Sequence, residues 1–186
     1  MARRIEVLVS GNGGQGVVRL GQVLGLAAIR QGLAATMLVS HGTETRGGYV
    51  RSQVVIADGE VDSPVVERAD VFCAMTAEAY ARFAGLVRGT LLYDPDRFTP
   101  AGDSARRRLA IRADAVARAQ LGAPLSANAV FLGAVCTLLG NVVAPEHLRT
   151  ALAECIPRFA PVNLRAFDLG RSLADTAIPP AAAPPA

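Results

Sequence analysis

Ile5-Glu6-Val7-Leu8-Val9-Ser10 is a short β-branched apolar run that stops at a cluster of glycines, the pattern of a central strand. Val17 to Gln31 is apolar on almost every side and reads as a buried helix, with Gly32 as its stop. Gly21 and Gly25 are four residues apart on one face, which predicts close packing of that helix on the sheet. Thr36 to Val39 is a second strand, so the chain opens with a β-α-β unit. Ser40 to Gly48 is a polar loop. Tyr49 to Ala57 is a strand, and Asp58-Gly59 predicts a tight hairpin returning through Glu60, Val61 and Asp62.

The alternation then resumes. Ala69 to Met75 and Leu91 to Tyr93 are strands around a helix, Thr76 to Val87, with Thr76 as its N-cap. Asp94-Pro95-Asp96 is a turn, Pro100 to Arg108 is polar, and Leu109 to Ile111 is a short strand. Helices follow at Asp114 to Leu121, Ala127 to Leu139, Pro145 to Cys155 and Pro161 to Ala174. The expected fold is α/β: a Rossmann-like open, mostly parallel sheet with flanking helices and an inserted hairpin on the sheet edge. Residues 1–177 form one domain, and 178–186 form a disordered Pro/Ala tail.

Composition narrows the chemistry. With 51% apolar and 19% charged residues the chain is a well-buried globular domain, not a disordered one. All 19 basic residues are arginine, which excludes a P-loop lysine, a Schiff-base lysine and a lysine general base. The longest basic run, Arg106-Arg107-Arg108, has no interleaved aromatics and reads as a solvated face, not a nucleic-acid patch. Cys73, Cys136 and Cys155 are far apart in apolar stretches. They read as buried inert thiols and exclude an iron–sulfur cluster held by this chain alone. The longest apolar run, Ala127 to Val143, is interrupted by polar residues and glycines, so a buried helix is favoured over a membrane span. No signal peptide is recognised, and the expected compartment is the cytoplasm. His147 reads as a surface residue and His41 as a hydrogen-bonding residue at the mouth of the expected site.

Gly11-Asn12-Gly13-Gly14-Gln15-Gly16 matches G-x-G-x-x-G between a strand and a helix. Such a turn presents the N–H groups and partial positive charge of a helix N-terminus to an anion. The same glycines also serve if they only let strand and helix pack closely, and both readings stay open. A dinucleotide fingerprint wants an acid at the end of the second strand. Leu38, Val39, Ser40 and His41 stand there instead, so a dehydrogenase is disfavoured. The polar loop carries Thr43, Glu44, Arg46, Gly47 and Gly48. Its guanidinium and freed backbone N–H groups suit an anion clamp beside the first loop.

Gly11-x-Gly-Gly-Gln-Gly16, Glu44-x-Arg-Gly-Gly48 and Ser63-Pro64 resemble the gamma subunits of the 2-oxoacid:acceptor (ferredoxin) oxidoreductases. Ser126-Ala-Asn128 and Asn163-Leu-x-Ala-Phe167-x-x-Gly170 extend the resemblance, which runs from about Ile5 to Gly170. It implies a non-catalytic subunit with no metal of its own. Thiamine diphosphate, Mg and [4Fe–4S] clusters would lie on alpha, beta and ferredoxin-like delta partners, and electrons would leave to ferredoxin or another acceptor. It also implies that this chain shapes the coenzyme A side of the site, through Gly11, Gly13, Gly14, Gln15 and Gly16 and through Thr43, Glu44, Arg46, Gly47 and Gly48. Glu44 two residues before Arg46 is more like the pyruvate or 2-oxoglutarate type than the indolepyruvate type. The alternatives are a free-standing Rossmann-type nucleotide-binding protein or dehydrogenase, and a scaffold whose glycine loop is buried in an interface.

Overall fold

The computed structural model describes residues 4–42, 48–102, 105–140 and 142–178. β1 (Arg4–Asn12) leads into α1 (Val17–Arg30), which ends at Gln31-Gly32 before β2 (Ala34–His41). β3 (Tyr49–Ala57), β4 (Ala69–Ala74) and α2 (Ala77–Phe83) follow, with Thr76 Oγ1 accepting from the Ala79 N–H as the N-cap of α2. β5 (Val87–Tyr93), β6 (Arg107–Ala110) and α3 (Ala113–Ala119) complete the alternation. Three helices close the chain: α4 (Ala127–Leu139), α5 (Pro145–Cys155) and α6 (Ala160–Ala177).

The six strands lie in the order β2-β3-β1-β4-β5-β6. β1, β4, β5 and β6 are parallel neighbours, while β3 runs antiparallel to both β1 and β2. The expected edge hairpin is therefore corrected in two respects. β3 is an interior strand wedged between β2 and β1, and it is β2 that forms the edge. Asp58-Gly59 is only a bend, and Glu60 to Asp62 form no strand.

Two physical reasons account for this. Val54, Val55 and Ile56 are all fully buried, which requires cover on both faces and paired strands on both sides. The return leg is captured elsewhere: the buried carboxylate of Glu6 accepts from the backbone N–H groups of Glu67 (2.8 Å) and Arg68 (2.9 Å). Arg4 ties the same segment through Glu6, Asp62 and the Ser63 carbonyl. Ser63-Pro64 thus belongs to the anchoring of this loop at the start of β1, at the opposite end of the sheet from the glycine loop.

Two apolar layers flank the sheet. α1 and α3 to α6 pack on one face, with Val7, Val9, Val54 and Cys73. α2 and the loop around Val66 cover the other, with Leu8, Val55, Phe72 and Leu91. Gly21 packs on the sheet as expected: a Cβ there would lie 2.8 Å from Met37 Cε and collide with Ser52 Oγ. Gly25 faces open space, so the close approach rests on Gly21 alone. Ile178, read from sequence as the start of the tail, packs against the core instead. Residues 179–186 lie outside the described residues. Among the described residues no helix is long and apolar enough to cross a membrane.

Cys73 and Cys136 are buried, and burial raises both thiol pKa values, that of Cys136 to about 11. Cys155 is only half-buried, which departs from the expected inert thiol, and its pKa is raised less severely, again chiefly by burial. An alkylating agent at pH 8 should label Cys155 in the folded chain and reach Cys73 and Cys136 only after denaturant is added. Peptide mass spectrometry decides this, and native-state labelling of Cys73 would contradict the packing described.

Candidate functional site

β1 and β4 are adjacent and parallel, yet the helices that follow them lie on opposite faces of the sheet. Such a switch point opens a crevice outside the carboxyl ends of the two strands. The Met75 N–H donates to the Ser10 carbonyl (2.8 Å) and closes its floor.

The first loop divides its labour there. Gly11 remains inside the ladder, opposite Val50, and a Cβ on it would stand 2.8 Å from Met75 Cβ. Packing leaves no room there for a side chain. Gly13 faces open space, while Gly14 and Gln15 line the crevice. The Gln15 side chain folds back so that Oε1 accepts from the Asn12 N–H (2.7 Å), which holds the turn. Gly14 and Gly16 have φ of 88° and 81°, the left-handed region that glycine adopts without cost. Gly16 is the N-cap of α1 and brings no side chain, and the first turn holds no acid. The first N–H groups of a long helix are left for another acceptor.

The opposite wall comes from three distant segments. Arg97 follows β5, Asp114 and Arg118 lie one turn apart on α3, and Asn128 opens α4. Arg97 and Asp114 form an ion pair. Arg118 makes no ion pair among the described residues and is exposed. Asn128 presses on Gly16, where a Cβ would lie 3.1 Å from its side-chain carbon.

The crevice has two arms. One, of about 190 Å³, runs past Gly14, Gln15, Arg97 and Arg118. The other, of about 460 Å³, shares Gly14, Pro124, Leu125 and Asn128 with it and continues past Ile156, Phe159 and Val162 to the buried Asn163. Leu125 is 84% exposed and Phe159 50% exposed, so apolar surface stands open at the groove's rim. The arrangement suits a ligand with an anionic end and a long, less polar arm.

Beneath the charged arm sits Asp94, fully buried at the end of β5. Burial raises its pKa, and backbone N–H groups of Asp114 and Asp96 oppose the rise.

Of the second loop, Thr43, Glu44, Arg46 and Gly47 lie outside the described residues. Gly48 is placed immediately before Tyr49, which pairs with Asn12 across β1 and β3. Gly48 therefore lies beside the end of β1, next to the first loop. His41 ends the edge strand β2, exposed and opposite Val50. It does not line either arm, so the expected position at the site's mouth is not met. β3 also separates β2 from β1, which puts the end of β2 two strand spacings, roughly 10 Å, from the glycine loop. Even an acid there would stand far from a ribose held at α1.

Sequence reasoning missed Arg97, Asp114 and Arg118 as site residues. No spacing links Arg97 to the pair on α3, because β6 and the turn before α3 intervene. Asn128 and Asn163 stood in motifs but not in the expected site.

The pyruvate ferredoxin/flavodoxin oxidoreductase family matches residues 6–173. The chain belongs to that family. The chain is a gamma subunit of the 2-oxoacid:ferredoxin oxidoreductase type. The gamma subunit is 36% identical over 180 residues to the 2-oxoglutarate synthase subunit KorC of Methanothermobacter thermautotrophicus, covering 91% of this chain and 95% of that one. It is 31% identical to the KorC subunit of Archaeoglobus fulgidus, covering 91% and 88%. The keto/oxoacid ferredoxin oxidoreductase gamma subunit of Geobacter sulfurreducens shares the fold with a TM-score of 0.77 at 32% identity, covering 94% of this gamma subunit and 99% of that chain. A 2-oxoglutarate:ferredoxin oxidoreductase from Magnetococcus marinus, solved with 2-oxoglutarate, coenzyme A and succinyl-CoA bound, superposes with a TM-score of 0.83 at 27% identity; the match covers 96% of this gamma subunit and 32% of that chain.

Proposed function

We propose that this gamma subunit supplies one wall of the coenzyme A site in a hetero-oligomer that oxidises a 2-oxoacid to its acyl-CoA. The observation that carries the reading is the crevice itself. A helix N-terminus without a side-chain cap and two arginines stand at one end of a groove whose other end is apolar. Coenzyme A has that polarity: phosphates at one end, a long pantetheine arm at the other. The phosphates are assigned to the Gly14-Gln15 turn, Arg97 and Arg118, and the arm to the trough past Pro124 and Val162. The Magnetococcus marinus enzyme, bound to coenzyme A, has the same fold over this region.

The three cysteines lie on β4, α4 and α5 and make no cluster-binding set, so the redox groups are assigned to partners. Thiamine diphosphate, Mg and [4Fe–4S] clusters belong, in this reading, to alpha, beta and delta subunits. The exposed Leu125 and Phe159 rim is where those partners meet this chain. The KorC relatives support 2-oxoglutarate as the 2-oxoacid.

In the assembled complex turning over 2-oxoglutarate, Arg118→Ala should raise KM for coenzyme A about 10-fold with kcat nearly unchanged, the loss expected for one solvent-screened charged hydrogen bond. An unaltered KM would overturn the assignment. Tight NAD binding by the isolated chain in calorimetry would favour the free-standing nucleotide-binding alternative instead.

A further inference from the structure

We infer that Asp94 is a positioning residue for the arginine wall of the crevice, acting through the backbone of two separate segments. This rests on the coenzyme A reading of that crevice.

Asp94 is fully buried, directly after β5. Its Oδ1 accepts from the Asp96 N–H (2.9 Å), which shapes the turn that delivers Arg97. Its carbonyl accepts from the Arg97 N–H (3.1 Å) in the same turn. Its Oδ2 reaches across to accept from the Asp114 N–H (3.1 Å) in the first turn of α3. α3 has no side-chain cap of its own, so the carboxylate in the turn after β5 takes that place.

One side chain therefore sets both the turn bearing Arg97 and the helix start bearing Asp114, whose side chains then pair. Arg118 follows one turn later and takes its direction from the same helix start. A buried carboxylate is costly to keep without hydrogen-bond donors, and here a backbone N–H donates to each oxygen. An apolar residue would fill the space but would leave the two segments untied. The hydrogen bonds that Asp94 accepts from the arginine wall come from backbone N–H groups, and Asp94 lines neither arm of the crevice.

A plain stabilising role is separated by a matched control. Glu6 is also a buried carboxylate with two backbone N–H donors, but it lies at the opposite end of the sheet. In the assembled complex, Asp94→Asn and Glu6→Gln should both lower the melting temperature. Only Asp94→Asn should raise KM for coenzyme A, by three- to ten-fold, with kcat unchanged. An Asn offers one acceptor oxygen and places an N–H donor against a backbone N–H, so one of the two ties is lost.

Arg118→Ala serves as the reference. If it raises KM while Asp94→Asn does not, the positioning role is overturned and the crevice assignment stands. If neither moves KM, the crevice assignment fails and this inference falls with it. If Glu6→Gln raises KM equally, the effect is general destabilisation and the inference is overturned. Should Asp94→Asn fail to assemble, Asp94→Glu decides: it keeps the charge but displaces the carboxylate by one methylene, and KM must rise there too. If neither variant assembles, Asp94 is a folding residue only and the inference is overturned.

Discussion

Gly170→Ala lowers the stability of the chain by roughly 3 kcal/mol or more, which in a domain of this size is a fall of about 10 °C in melting temperature. α4 and α6 meet backbone to backbone at Gly133 and Gly170. A Cβ on Gly170 would lie 2.7 Å from the Val130 carbonyl carbon and closer still to its oxygen. The reciprocal position is as tight: a Cβ on Gly133 would stand 2.7 Å from the Arg171 backbone N. The obstructing atoms are helix backbone, so no rotamer change relieves the overlap and the helices must separate. Separation exposes Phe167 and Val130, both fully buried. Calorimetry of the purified chain measures the shift. A fall under 2 °C would show that the two helices do not cross this closely.

Gly16→Ala carries the second large effect, and it joins stability to the crevice. The φ of 81° costs an alanine about 1–2 kcal/mol before any contact is counted. The new Cβ would then displace the Asn128 side chain, which lines both arms. The expected outcome is a melting temperature lower by roughly 3–6 °C and, in the complex, a raised KM for coenzyme A. Gly13→Ala is the internal control, because Gly13 has neither a positive φ nor a neighbour within 4 Å. Equal effects at Gly13 and Gly16 would contradict this account of the loop.

The contrast between Gly13 and Gly16 shows where sequence reading reached its limit. G-x-G-x-x-G located the loop between β1 and α1. It did not distinguish a glycine that packs (Gly11), one that is open (Gly13), one that lines the crevice (Gly14) and one that caps (Gly16). The packing of Gly11 is set by Met75, directly after β4, and that of Gly16 by Asn128 on α4. The arginine wall was hidden for the same reason. Arg97, Arg118 and Asn128 meet because β5, α3 and α4 are adjacent in space, and no periodicity in the chain encodes that.

Two elements with their own punctuation were legible to the residue. α4 runs from Ala127 to Leu139 and α5 from Pro145 to Cys155, as the apolar run and the N1 proline specify. The N-cap of α2 at Thr76 was equally readable. β3 shows the other case. Its existence and its span of Tyr49 to Ala57 followed from local pattern, but its place did not. Asp58-Gly59 has a hairpin's sequence, yet Glu6, distant in the chain, captures the segment that follows.

The sequence by itself determined the α/β class, the helices with caps, the glycine loop and the family, since these depend on neighbouring residues or on the order of short motifs. Tertiary structure alone decided that β3 lies inside the sheet, that Gly133 and Gly170 let two helices touch, and that a buried Asp94 ties Arg97 to α3. The physical reason is that strand order, close helix crossing and tertiary capping are contacts between segments far apart in the chain. Their free energy depends on which surfaces meet after collapse, and a local pattern carries no record of that.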